Sequence, residues 1–106
     1  MAKATYLLVL QFTGDSTEDL DAIIEIEDQL TSLLGESAGV DGHDVGSNQT
    51  NIFINSAEPL ATFQQCRSLL QAHGAMFNTL KAAFRSTNGS EYTVLYPEGT
   101  TEFAVA

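Results

Sequence analysis

Residues able to do chemistry meet at one place in this chain, the run Val40-Asp41-Gly42-His43-Asp44-Val45-Gly46-Ser47-Asn48, which leads into the apolar stretch Asn51-Ile52-Phe53-Ile54-Asn55. The run holds two carboxylates and one of the chain's 2 histidines. Glycines at 42 and 46 open backbone angles closed to other residues, so the segment can fold tightly and turn Asp41, His43 and Asp44 toward a common point. A carboxylate fixes the tautomer of a neighbouring imidazole, which makes His43, oriented by Asp44 or Asp41, a candidate general acid or base. The plainer use of the same residues is a hydrogen-bonded structural turn.

Other chemistries fit less well. Structural or catalytic zinc takes three or four protein ligands, and this run offers a single imidazole, with His73 far off at the end of a predicted helix. Read as a calcium loop from Asp41, its twelfth position is Ile52, where a bidentate glutamate is required. Cys66 stands between Gln65 and Arg67 inside a predicted helix rather than at a helix N-terminus, so it reads as a buried, inert thiol. Gly42 and Gly46 are not followed by the Lys-Ser/Thr pair of a phosphate loop. No metal and no cofactor are expected.

The elements that must position this run follow from periodicity. Tyr6 to Phe12 is apolar on both alternating faces, as in a strand inside a sheet. After Thr13-Gly14-Asp15, Ser16 or Thr17 can cap a helix whose first turn carries Glu18 and Asp19. Leu20, Ile23, Ile24, Leu30, Leu33 and Leu34 recur at helical spacing, Asp21, Glu25 and Asp28 fall on the other side, and Gly35 marks the stop. Strands are predicted over 40–45 and 51–55. Pro59 opens a second helix with Leu60, Phe63, Arg67 and Leu70 as its stripe, ending at Gly74. Over 76–85 helix and strand both fit, and a strand from about Leu80 is preferred because Asn88-Gly89 suits a two-residue hairpin turn into Tyr92-Thr93-Val94-Leu95-Tyr96. That hairpin would set Ala82, Phe84, Thr93 and Leu95 against Ala83, Tyr92, Val94 and Tyr96. Residues 98–106 read as a tail.

This order resembles the ferredoxin-like α/β plait, an α+β architecture, with an additional strand in a C-terminal hairpin, over roughly residues 4 to 97. With Asp41-Gly42-His43-Asp44 ahead of Asn51-Ile52-Phe53-Ile54, the chain is similar to small bacterial proteins of that type. The resemblance implies an antiparallel sheet with two helices on one face and the other face open, and it transfers no active site. If Ile52 and Ile54 point to the helices, Asn51, Phe53 and Asn55 line the open face, joined either by Leu7 and Val9 or by Leu8 and Leu10. Either choice leaves apolar surface uncovered. A homodimer is the simplest cover, and a tail folded back over the sheet is the alternative.

With 106 residues and 43% hydrophobic content, the chain is expected to form a single domain. Against 14 acidic residues stand 4 basic ones, for a net charge of −10. Lys3, Arg67, Lys81 and Arg85 are scattered singly, so neither nucleic acid nor an anionic membrane surface is an expected partner. Cys66 stands alone and cannot form an internal disulfide, and with no secretory pattern visible a cytoplasmic location is expected. Taken together, the residues read as an acidic binding module that works through the open sheet face (Asn51, Phe53, Asn55) or through the first helix (Asp21, Glu25, Asp28), with a basic protein as candidate partner. The alternative is a small dimeric plait-type enzyme using His43 with Asp41 and Asp44.

Overall fold

A computed structural model of the chain describes residues 5–13, 17–35, 38–46, 48–72, 77–97, 99 and 103, with the side chains of all of these except 17–20 and 77. The elements run β1 (Tyr6–Thr13), α1 (Thr17–Leu34), β2 (Ala38–Gly46), β3 (Gln49–Ser56), α2 (Pro59–Gln71), a short 3-10 turn (Phe77–Thr79), β4 (Lys81–Ser86) and β5 (Thr93–Tyr96). The five strands form one sheet in the order β2-β3-β1-β4-β5, and every neighbouring pair is antiparallel. β1, the most continuously apolar segment, occupies the centre, where a strand is flanked on both sides. The fold is α+β. The side chains of the helix start at 16–20, His73, Gly74 and most of 98–106 lie outside the described residues.

Register assigns the faces. Leu8 stands opposite Ile54 and Phe84, Leu10 opposite Ile52 and Ala82, and Phe12 opposite Thr50. These side chains share one core with Ile23, Ile26, Leu30 and Leu34 of α1 and with Phe63, Cys66 and Leu70 of α2. Both helices therefore cover the same face, and each fully buried aliphatic side chain in that core contributes about 1.5–3 kcal/mol of transfer free energy.

Leu7, Val9, Gln11, Asn51, Phe53 and Ala83 point to the far face, so Leu8 and Leu10 belong to the helix side. That far face is not open at its centre: Val9 and Ala83 have no exposed surface, and Asn51 and Gln11 retain 2% and 6%. Phe103, from the tail, packs against Tyr92 with the rings tilted and their centroids 4.9 Å apart.

Both helices depart from their expected stripes. Among the described side chains of α1 the buried positions are Ile23, Ile26, Leu30 and Leu34, while Ile24 and Leu33 sit on the flanks of that stripe and stay exposed. In α2 the buried set is Pro59, Thr62, Phe63, Cys66 and Leu70, and Leu60 is 59% exposed. Gly35 ends α1 as expected, with φ of 54° and its N–H donated to the Thr31 carbonyl at 3.2 Å. Asn88-Gly89 does not form a two-residue hairpin turn. β4 and β5 are joined by residues 87–92, Gly89 N–H closes a turn onto the Ser86 carbonyl at 2.9 Å, and neither Asn88 nor Gly89 takes a positive φ. Arg85 substitutes for the primed turn by donating Nη1 to the carbonyls of Ser86 and Gly89 at 3.1 and 3.0 Å. A register shift between Ala82 and Ala83 then sets Tyr96 opposite Ala82 and Val94 opposite Ala83, which moves Tyr96 to the helix side.

Candidate functional site

The Asp41-Gly42-His43-Asp44 run lies within edge strand β2, and its geometry is governed by a bulge. Val40 pairs with Ile54, yet the next paired residue is Gly42, opposite Phe53, so Asp41 is the extra residue. Gly42 has φ of 129°, a backbone angle for which glycine is suited and L side chains are not. One inserted residue reverses the alternation of faces beyond it. His43, which would otherwise point away from the helices, stands opposite Ile52 on the helix side.

There it meets α1. His43 Nδ1 lies 2.6 Å from Glu27 Oε1, with the two side chains 31% and 15% exposed. A carboxylate on Nδ1 selects the tautomer protonated there and leaves Nε2 as the free acceptor, the arrangement of an oriented acid/base imidazole. Asp44 faces the other side of the sheet, opposite Asn51, and Asp41 is exposed on the bulge. The structure thus does not bring Asp41, His43 and Asp44 to one point; it pairs His43 with Glu27. Position 27 follows Ile23 by four residues and precedes Leu30 by three residues, so a carboxylate set on the edge of the apolar stripe was the available sign. Among the described residues no group of three or more His, Cys, Asp or Glu side chains could hold a metal ion.

On the far face, Gln11 Nε2 donates to Asn51 Oδ1 at 3.0 Å and to Gln49 Oε1 at 3.3 Å. Asn51 is therefore engaged in a buried amide network, while Phe53 is half-buried and Asn55 exposed. Cys66 is fully buried, and desolvation pushes its thiol up from the ordinary thiol range to about 11, which keeps it protonated and unreactive at neutral pH.

The remaining surface falls into two chemistries. On α1, Asp21, Glu25 and Asp28 are exposed along one outward face, spaced by four and three residues. The cations nearest in kind are spent elsewhere: the Arg67 guanidinium lies over the Tyr96 ring at 5.1 Å, and that of Arg85 over Tyr92 at 6.0 Å. Where α2 begins, a groove of about 410 Å³ is lined by Tyr6, Ala57, Glu58, Pro59, Leu60, Ala61 and Phe84, and neither His43 nor Glu27 reaches it. Ser56 shapes this corner. Its Oγ accepts the Glu58 N–H at 3.0 Å and shares a 2.6 Å hydrogen bond with Thr62 Oγ1, which ties the residue before the helix to its first turn, while the Glu58 side chain makes no capping bond. No helix among the described residues is long and apolar enough to cross a membrane. No family model matches the chain, and no curated protein sequence and no solved structure is significantly similar to it.

Proposed function

We propose that this protein is a cytoplasmic interaction module that engages a positively charged protein through the outer face of α1, on a scaffold of the ferredoxin-like plait kind. The observation that carries the reading is the row Asp21, Glu25 and Asp28: exposed, on one face, and without an ion-pair partner among the described residues, on a chain of net charge −10. Such a field draws an oppositely charged partner into encounter and makes the association salt-sensitive. The strand order β2-β3-β1-β4, with a helix after β1 and another after β3, supports the plait reading, and β5 extends the sheet beside β4. A homodimer through the far face draws less support than it would from an open sheet, because Val9, Ala83 and Asn51 are already buried in one copy.

The test is affinity capture from lysate at low salt on immobilised wild type and on the variant Asp21→Asn, Glu25→Gln, Asp28→Asn, eluted by salt steps. Basic proteins held by the wild type and lost by the variant are the expected result. Equal retention on both would remove α1 as the contact face.

The Glu27–His43 pair favours a second reading, a small enzyme with His43 as acid/base. Glu27 then takes the orienting role expected of Asp41 or Asp44. Loss of a turnover in a folded His43→Ala variant is its signature.

A further inference from the structure

The groove at the start of α2 is an apolar feature of the described surface that neither the acidic face nor the His43 pair uses. Its floor is the edge-to-face pair Tyr6 and Phe84, with centroids 5.6 Å apart, and Pro59 and the exposed Leu60 form one wall. At about 410 Å³ it lies within the range of specific pockets, roughly 300–1,000 Å³, and it has room for one large apolar side chain and the backbone that carries it.

One charged side chain stands at its lip. Glu58 is exposed, occupies the cap position of α2 without bonding that helix, and has no ion-pair partner among the described residues. Beside it, the first helical hydrogen bond of α2 runs from Thr62 N–H to the Glu58 carbonyl at 2.9 Å. The Leu60 and Ala61 N–H groups precede it and have no acceptor within the helix. An apolar floor, two backbone donors and a free carboxylate match what an extended peptide presents over two consecutive residues: an apolar side chain, a carbonyl and a basic side chain.

We propose that this groove receives an aromatic or branched aliphatic anchor, flanked by arginine or lysine, from an extended segment of a protein partner. The proposal deepens the interaction-module reading and rests on it for the sign of the partner's charge: the acidic face of α1 attracts the partner without selecting it, and the groove selects. A small apolar molecule would use the floor and leave Glu58 unmatched, and a second copy of this chain would bring a net charge of −10 against a carboxylate.

Fluorescence anisotropy on the full chain tests this with a labelled glycine–serine decapeptide that carries one phenylalanine between two arginines. Two controls replace the phenylalanine with alanine or the arginines with glutamine. The wild type should bind the phenylalanine peptide roughly tenfold more tightly than the alanine peptide. Leu60→Ser, at an exposed position that does not hold the fold, should abolish that ratio, and Glu58→Gln should erase the preference for arginine over glutamine. Amide chemical shifts of Leu60 and Ala61 should move with the phenylalanine peptide and not with the alanine one.

Neutralising Asp21 and Asp28 should weaken both arginine peptides alike and leave their ratio unchanged. If that neutralisation has no effect while the ratio persists, the acidic-face reading fails and the groove proposal stands. Equal binding of the phenylalanine and alanine peptides, or a ratio that survives Leu60→Ser, overturns the groove proposal. So does a concentration-dependent dimer, seen by sedimentation, that Leu60→Ser dissolves.

Discussion

The α1–β2 side and the α2–β4 side of the molecule share one core but treat their polar groups in opposite ways. On the α1–β2 side, a carboxylate placed at the edge of the apolar stripe finds a partner: Glu27 meets His43, and Asp21, Glu25 and Asp28 are solvated on the outer face. On the α2–β4 side, the carboxylate at the helix start caps nothing, Ser56 Oγ engages the Glu58 N–H and the Thr62 hydroxyl, and apolar Leu60 faces water beside the Tyr6–Phe84 pair. An exposed leucine is ordinary by itself. Together with a groove and an unengaged carboxylate it marks a surface with a use other than stability. The lesson is that polar groups absorbed into the fold and polar groups left over can be told apart by asking which backbone or side-chain partner each one has.

The sharpest way to break this contrast is to show that the two exposed and buried leucines are energetically alike. Leu30→Ala removes a fully buried side chain of α1 and should cost about 2–5 kcal/mol in chemical denaturation. Leu60→Ser should fall within about 0.5 kcal/mol of wild type. A Leu60 variant as destabilised as the Leu30 one would make the groove part of the core.

Next in size is a pH effect confined to the α2 side. Burial raises the Cys66 thiol to about 11 in the folded protein, whereas in the unfolded chain it titrates as an ordinary thiol near 9.0. The folded state therefore holds its proton longer, and the stabilisation is complete below about pH 9 and lost as pH rises toward about 11, an effect of up to about 3 kcal/mol. Cys66→Ala has no thiol to titrate, so its stability relative to wild type should rise across that window. A constant difference between the two would mean that water reaches the thiol. Below pH 9 the thiol should also resist alkylation in the folded protein.

How much of this was legible in the residues depends on the range of the interaction that fixes each feature. β1, the helix stop at Gly35, the start of α2 at Pro59, β4 after Leu80 and the burial of Cys66 are set by local periodicity or by the backbone chemistry of one residue, and they are found where expected. The six-residue β4–β5 connection is decided by Arg85 reaching the carbonyls of Ser86 and Gly89, which no dipeptide preference contains. The exposure of Ile24, Leu33 and Leu60 depends on which few degrees of each helix the sheet can reach. The site suffers most. Asp41, His43 and Asp44 are neighbours in the run, but the side to which each points depends on a single inserted residue, and the partner of His43 comes from α1.

That dependence gives the smallest effects and the most specific test. A Cβ on Gly42 would touch nothing within 4 Å, so Gly42→Ala strains only the backbone at φ of 129°, a penalty of about 1–3 kcal/mol. If the bulge is what turns His43 toward α1, relieving that strain means losing the bulge, and with it the contact to Glu27. Glu27→Gln should therefore cost about 0.5 kcal/mol in the wild type, as expected of a partly exposed pair, and nothing further in the Gly42→Ala background. A double-mutant cycle of the two substitutions reads this coupling directly. Additive effects would show that His43 reaches Glu27 without help from the bulge, and Gly42 would then matter to the edge of the sheet alone.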